Sequence, residues 1–220
     1  AQDNVRRARK YRCPAEAGLY CAAMSPPPRL AAEPPAVIQA RVAAEPGRRT
    51  EREDLSPRAT LWVDELTDDP EAFALSVARG LSTQPRRLDC RYLYDEVGSD
   101  LFDQITQQPE YYPTRTEAGI LERHAAELAR ELGAIPICEL GSGTAYNTRL
   151  LLAAWSREAG AAFHSVPVDI DPAVLRIAAS ELTEPHPQLQ VSALATSYEN
   201  ALERLRDLTP KVVLFLGYTT

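Results

Sequence analysis

The chain has 220 residues, a formal net charge of −7 and four cysteines without CxxC spacing. This length allows one ordinary domain with a tail. The acidic balance argues against general nucleic-acid binding, and no apolar run reaches the roughly 20 residues that cross a bilayer. The cysteine pattern indicates neither a disulfide scaffold nor a metal site. We therefore expect a cytoplasmic monomer without nucleic-acid, membrane or metal partners.

Residues 1–60 differ in composition from the rest of the chain. They hold 11 Lys and Arg against 7 Asp and Glu, and 8 of the 18 prolines. Prolines remove backbone donors, and the near absence of aromatic side chains leaves little to offset the entropy of ordering. We interpret 1–60 as a basic, proline-rich tail that is disordered or, before the single methionine Met24, not native.

Residues 61–133 are predicted to form a helical region with substrate loops. Leu61-Trp62-Val63 leads into an amphipathic stretch through Leu81, in which Phe73, Val77 and Leu81 are four residues apart. Thr114 and Glu117 have the spacing of a capping box, which predicts a helix from this point to a C-cap at Gly133.

Residues 134–220 alternate between strand and helix patterns. The predicted strands are 135–140, 163–170, 189–195 and 211–216, and the predicted helices are 147–159, 172–182 and 198–208. This order indicates an α/β fold with a parallel sheet. The strand KVVLFL is apolar enough for burial on both faces, yet the sequence stops four residues later. We therefore expect a fragment whose last strand is an open edge.

A glycine loop, Gly141-Ser142-Gly143, directly follows the first of these strands. Glycines let the backbone approach a ligand, and the N-terminus of the next helix adds positive partial charge. A dinucleotide fingerprint would need a third glycine where this chain has Tyr146, which counts against NAD. A tight turn without a ligand is the alternative interpretation.

A carboxylate, Asp169, ends the second strand. In nucleotide-binding βαβ units an acid at this place accepts the hydroxyls of a ribose. Asp171 is placed to cap the helix that begins at Pro172. The loop and the acid together, without a third glycine, predict an adenosine cofactor that lacks a pyrophosphate, and S-adenosyl-L-methionine fits that description.

Four of the nine tyrosines lie in two short segments before the sheet: Tyr92, Tyr94, Tyr111 and Tyr112. Tyrosine offers an apolar wall and one hydroxyl, which suits a small polar substrate. Packing of the rings onto the sheet is the alternative. The three histidines are scattered, and we assign them no direct role.

Five motifs, in this order and spacing, closely resemble the histidine-specific methyltransferase family: YDEVGSDLFDQIT, PEYYPTRTEAGIL, ELGSGT, PVDID and VVLFLG. The resemblance runs from about Trp62 to Thr220. It implies a Rossmann-like class I methyltransferase fold, present here as its first four strands. It also implies S-adenosylmethionine-dependent methylation of the α-amino group of L-histidine to trimethylhistidine (hercynine) in ergothioneine biosynthesis. A methyltransferase for another amino acid, such as a tryptophan derivative, and a catalytically inactive fragment are the alternatives.

The resemblance also assigns roles by position. The implied cofactor residues are Gly141, Ser142, Gly143, Asp169, Ser197 and Tyr198, with Asp169 on the ribose and the last two near the adenine. Tyr111 and Tyr94 match tyrosines at the histidine substrate. Where some relatives have a lysine, this chain has Asn147. No catalytic residue is assigned.

Relatives continue past the position of Thr220 with an I-G-N sequence, whose asparagine holds the amino and carboxylate groups of the substrate. The chain stops before this motif. We therefore expect the remaining sheet and the substrate-capping domain to be missing, and the polypeptide alone to be poorly folded and inactive.

Overall fold

A short helix and a β-hairpin precede the helical region. The computed structural model describes residues 35–43, 50–64, 70–93, 95–158 and 162–216. Helix α1 (Pro35–Ala43) is followed by strands β1 (Thr50–Ser56) and β2 (Ala59–Asp64), which pair antiparallel.

The predicted tail over residues 1–60 is wrong for the part that the structure describes. Strand β2 pairs with a strand of the main sheet, and β1 lies at its outer edge. Ile38 and Val42 of α1 are one helical turn apart and both buried, and each such burial stabilises by about 1.5–3 kcal/mol. This tertiary packing orders a segment whose composition is typical of a tail. Residues 1–34 and 44–49, including Met24, lie outside the described residues.

Residues 61–64, predicted to begin the helical region, belong to β2, whereas from residue 70 onward the elements follow the predicted order closely. The helical region contains α2 (Pro70–Leu81), α3 (Glu96–Thr106) and α4 (Pro113–Leu132), with a 3-10 turn at Cys90–Leu93. The alternating region contains β3 (Ile137–Leu140), α5 (Tyr146–Glu158), β4 (Phe163–Asp169), α6 (Pro172–Thr183), β5 (Leu189–Ala195), α7 (Tyr198–Arg204) and β6 (Val212–Leu214).

The sheet has six strands in the order β1-β2-β5-β4-β3-β6. All neighbours after the β1–β2 hairpin are parallel. The α/β fold is thus confirmed, and it is consistent with a Rossmann-like methyltransferase. The chain moves outward from β3 through β4 to β5, then returns to pair β6 on the other side of β3. In open α/β sheets such a reversal marks where ligands bind, beyond the carboxyl ends of the strands.

Apolar side chains cover both faces of the sheet. One cluster packs α4, α5 and α6 on the sheet and contains Trp155 and Leu175. The other packs α1 and α7 on the opposite face and contains Val42 and Leu205. Successive residues of β3 face different clusters, as the two-residue period of a strand requires: Ile137 belongs to the first, and Cys138 and Leu140 belong to the second.

The capping box predicted at Thr114 and Glu117 is wrong. Helix α4 begins at Pro113, its N-cap Tyr112 makes no side-chain capping hydrogen bond, and the carboxylate of Glu117 accepts a hydrogen bond from Asn147 instead. A proline at the first helical position has no backbone N–H, so this helix start has one fewer donor that requires a capping acceptor. The predicted C-cap is confirmed: Gly133 has φ 68° and donates its N–H to the Ala129 carbonyl at 2.9 Å.

The last strand is not buried on both faces, although its sequence is apolar enough for that. Strand β6 pairs with β3 at the edge of the sheet, and Val213 and Phe215 are 42% and 53% exposed. An apolar sequence indicates burial in general, whereas the exposure of β6 depends on its place in the strand order. The expectation that this strand lies at an edge is confirmed. Within the described ranges, no helix combines the length and apolar character that crossing a bilayer requires.

Candidate cofactor-binding site

The glycine loop turns sharply where β3 ends. The N–H groups of Gly141 and Ser142 both donate to the Val168 carbonyl of β4, at 2.9 and 3.0 Å. Gly141 and Gly143 have φ of 71° and 49°, in the left-handed region that glycine adopts without strain. The loop is therefore anchored on β4 while its backbone turns over the carboxyl end of β3 and leads into α5.

The carboxylate of Asp169 faces this loop. Its Oδ2 accepts the Gly143 N–H at 2.9 Å, and its Oδ1 accepts the Asp171 N–H at 3.1 Å. Burial raises the pKa of Asp169, although hydrogen bonds from the amides of Gly143, Asp171 and Ile170 oppose that shift. An ionised carboxylate has further lone pairs with which to accept ligand hydroxyls.

Asp171 has the separate structural role that was predicted for it. Its Oδ1 accepts the Ala173 N–H at 2.8 Å and so caps α6, which begins with Pro172. This prediction is confirmed, and Asp169 is the one of these two carboxylates that accepts a hydrogen bond from the loop.

A second acid lies beneath the loop. Glu139 of β3 is only 4% exposed, and its Oε2 accepts a hydrogen bond from the Thr148 hydroxyl of α5. Burial raises the pKa of Glu139 to about 8, and the negative charges of Glu117 and Asp169 add to the rise, while the bond from Thr148 opposes it. Glu139 therefore carries a proton at neutral pH. A cation bound nearby would favour its ionised form.

Helix α4, which follows the predicted tyrosine loop, is hydrogen-bonded to α5, which follows the glycine loop. The Asn147 side-chain amide of α5 donates to Glu117 of α4, and the Arg115 guanidinium of α4 donates to the Gln108 carbonyl at 3.0 Å. Tyr111 is half-buried, and its ring packs edge-to-face on Phe102 with centroids 6.1 Å apart. The loop that carries Tyr111 is thus braced and linked to the start of α5.

The predicted adenine-side residues lie next to Asp169. The Thr196 N–H donates to the Asp169 carbonyl at 2.9 Å. Ser197 caps α7 by accepting the Asn200 N–H, and the ring of Tyr198 packs edge-to-face on Phe215 at 5.9 Å. The structure therefore brings the glycine loop, Asp169 and the turn at 196–198 to one edge of the sheet. Tyr94 lies outside the described residues.

The site has features that fit an adenosyl sulfonium ligand. A Cβ added to Gly143 would meet no atom within 4 Å, so the space beside the loop is open. Among the described residues, Ser142 Oγ and Asn147 Oδ1 are buried without a hydrogen-bond partner. The carboxylate of Asp169 contacts the loop and that of Glu117 contacts Asn147 at the start of α5, and negative charges in these places suit a ligand with positive charge. Across the described part of the chain, no cluster of His, Cys, Asp or Glu is placed to hold a metal ion.

The roles of Glu117 and Glu139 are not evident from the sequence patterns. Glu117 lies 30 residues before Asn147, its partner, so no local spacing connects them. Glu139 did carry a signal, since it is a lone acid within the apolar run of β3. A charged residue in a strand buried on both faces requires a partner or a ligand.

Comparison with known proteins gives a family match over most of the chain. The profile of the family described as "Histidine-specific methyltransferase, SAM-dependent" matches residues 73–220. Histidine N-alpha-methyltransferase of Mycolicibacterium smegmatis is 43% identical over 149 residues, covering 68% of this chain and 46% of the relative. The protein of the same name from Mycobacterium tuberculosis is 40% identical over 156 residues, covering 70% and 48%.

A fungal relative matches more distantly. Ergothioneine biosynthesis protein 1 of Schizosaccharomyces pombe is 32% identical over 147 residues, covering 64% of this chain and 18% of that protein. The chain spans about half the length of the two bacterial relatives, and less of the fungal one.

Proposed function

Since the chain belongs to the histidine-specific, S-adenosylmethionine-dependent methyltransferase family, we propose that the protein methylates the α-amino group of L-histidine. The product would be trimethylhistidine, or hercynine, in ergothioneine biosynthesis. The observation that carries this proposal is the Asp169 carboxylate turned toward the glycine loop, 2.9 Å from the Gly143 amide. A carboxylate in this position would accept ribose hydroxyls beside the loop that follows β3, the strand at which the sheet order reverses.

Three groups of residues would hold the cofactor. The backbone of Gly141, Ser142 and Gly143 would line its methionyl part, because the loop precedes the N-terminus of α5 and its free amides. Asp169 would accept the ribose hydroxyls. Ser197 and Tyr198 would border the adenine, with Phe215 supporting the Tyr198 ring from its edge.

The tyrosine loop would hold the amino-acid substrate. Tyr111 and Tyr94 are the candidates, and each combines an apolar ring with one hydroxyl. Tyr111 precedes α4, whose Glu117 accepts a hydrogen bond from Asn147 at the start of α5. This hydrogen bond would hold the substrate loop at a fixed position relative to the cofactor loop.

The bound cofactor would supply an electrophilic methyl group. The protein's own contribution is then mainly positioning: holding a neutral amine in line with that methyl in a site that excludes water. Such alignment is worth roughly 7–11 kcal/mol of the barrier. The negative charges of Glu117 and Asp169 would favour binding of the positively charged cofactor over its neutral-sulfur product, and a bound cation would also favour the ionised form of Glu139.

We further infer a cytoplasmic location. Cys138, in the described part of the chain, is a buried free thiol, as expected in a reducing compartment. The monomeric state stays a prediction.

A competition assay tests the proposed activity. The protein encoded by the complete gene is incubated with S-adenosylmethionine and equal concentrations of histidine, tryptophan and a prenylated tryptophan, and the methylated products are identified by mass spectrometry. Methylation of histidine alone at its α-amino group is the expected result. Preferential methylation of a tryptophan substrate would contradict the substrate assignment. Absence of methylation together with absence of cofactor binding in calorimetry would contradict the enzyme assignment and favour a catalytically inactive protein.

A further inference from the structure

A buried ion pair joins the β-hairpin to the far end of α7. Arg204 Nη2 lies 2.6 Å from Asp64 Oδ1, and both side chains are 1% exposed. Thr50 of β1 donates its hydroxyl to the same carboxylate oxygen at 2.8 Å and accepts from Arg204 at 3.0 Å. Asp64 is the last residue of β2, so the pair lies at the carboxyl edge of the parallel sheet, where the candidate cofactor site also lies.

The other oxygen of Asp64 reaches the cofactor turn. Asp64 Oδ2 accepts a hydrogen bond from the Thr196 hydroxyl at 2.7 Å, and Thr196 is fully buried. The backbone N–H of Thr196 donates to the Asp169 carbonyl at 2.9 Å. Thr196 is therefore held on one side by the hairpin and on the other by the strand end that carries the candidate ribose acceptor.

The two residues after Thr196 are those predicted to border the adenine. Ser197 follows directly and caps α7, and Tyr198 is the first residue of that helix. Arg204 is the last residue of α7, so the Asp64 carboxylate contacts both the turn before this helix and its C-terminal residue. A single buried carboxylate thus fixes the position of α7 relative to the sheet.

Buried ion pairs contribute little net stability, because desolvation offsets the attraction between the charges. Directional hydrogen bonds to a charged group do constrain geometry, however. Asp64 accepts three hydrogen bonds, from residues of β1, the turn after β5 and α7, and this arrangement indicates a role in positioning.

We propose that Asp64 and Thr196 are positioning residues for the cofactor, which make the β1–β2 hairpin a functional part of the binding site. Asp64 holds the Thr196 hydroxyl and Arg204, and so sets the distance between the adenine-side turn and Asp169. This inference rests on the proposed function, because it needs the turn at 196–198 to contact the cofactor.

Calorimetric titration with S-adenosylhomocysteine and with methylthioadenosine tests the inference. Thr196→Val keeps the shape of the side chain and removes the hydroxyl, and Asp64→Asn keeps the size and removes the charge. We expect each to raise Kd about tenfold, corresponding to loss of a hydrogen bond to a charged group, for both ligands alike, since both contain the adenosine. Thr196→Ser, which keeps the hydroxyl, should bind like wild type.

Glu53→Gln is the matched control. Glu53 lies in the same hairpin and pairs with Arg176 of α6 at 2.9 Å, but both side chains are more than 40% exposed and the pair does not contact the turn. We expect its Kd to be unchanged. Urea unfolding of each variant separates positioning from loss of fold. A variant that is fully folded under the titration conditions and still has a raised Kd has a displaced turn, whereas reversible partial unfolding by itself raises the apparent Kd in inverse proportion to the folded fraction.

The outcomes also separate this inference from the proposed function. If the wild-type protein binds neither ligand, the proposed function is overturned and the inference with it. Wild-type binding with unchanged Kd in both variants would overturn the inference alone, and so would a Kd that changes equally in Glu53→Gln.

Discussion

Replacing Glu139 with glutamine should remove a large part of the pH dependence of folding. Burial raises the pKa of this carboxyl from an ordinary value of 4.5 to about 8. The unfolded chain therefore loses the Glu139 proton near pH 4.5, whereas the folded chain keeps it until about pH 8. Between these values the folded state binds more protons, so stability falls as the pH rises.

The magnitude follows from the shift. Each pKa unit corresponds to about 1.4 kcal/mol, so the full contribution is about 5 kcal/mol, present below pH 4.5 and lost by about pH 8. From pH 6 to pH 8 the wild-type protein should lose about 2 kcal/mol through this residue, because the carboxyl is already half-titrated in the folded state at the upper end. The glutamine side chain of the Glu139→Gln variant does not titrate, so this loss should be absent there.

Urea unfolding of both proteins at pH 6, 7 and 8 measures this difference. The free energy of unfolding of Glu139→Gln should fall less steeply with pH than that of the wild type. If the glutamine amide packs less well than the carboxyl group, the free energy of unfolding changes by the same amount at every pH, so its slope against pH is unaffected. Parallel curves for the two proteins would refute the argument that Glu139 is protonated beneath the glycine loop.

Three further changes test other parts of the structure. Gly98→Ala should destabilise the folded protein by at least about 1–3 kcal/mol, because the added Cβ would lie 1.7 Å from the Leu93 carbonyl oxygen. The Cβ of Gly119→Ala would meet no atom within 4 Å, so this variant should stabilise α4 slightly. Equal melting temperatures of the two variants would contradict this reasoning. Lowering the pH from 6.5 to 4 should reduce the free energy of unfolding by about 3 kcal/mol through His164, since burial lowers the pKa of its imidazole to about 4. In urea unfolding, the free energy of His164→Gln should therefore depend less on pH over this range than that of the wild type. Asp171→Ala should lose about 1 kcal/mol of helix capping, with Asp171→Ser close to wild type in thermal melts; a melting temperature unaffected by the alanine would show that the cap is dispensable.

The main sheet could be predicted because its strands are short apolar runs separated by turn residues. The strand at 189–195 was predicted with its observed bounds, and both ends of α6 fall within one residue of the prediction. The hairpin could not be predicted, because β1 (TEREDLS) is polar and mostly exposed. Its order depends on pairing across the sheet and on the contact of Asp64 with Arg204, 140 residues away.

The candidate site also contains some features that the sequence predicts and others that it does not. The glycine loop and Asp169 follow consecutive strands of a βαβ unit, so their proximity could be deduced from topology. The contacts of Asn147 with Glu117 and of Thr196 with Asp64 join side chains 30 and 132 residues apart. Such contacts depend on how helices and strand ends pack in three dimensions, and no local pattern encodes them.

A crystal structure of the protein with S-adenosylhomocysteine would test the central claim most directly. The account predicts both ribose hydroxyls within about 3 Å of the Asp169 carboxylate oxygens, with the amino-acid part of the ligand over residues 141–143. A ligand whose ribose lies away from Asp169, or side chains that fill the space beside Gly143, would contradict it.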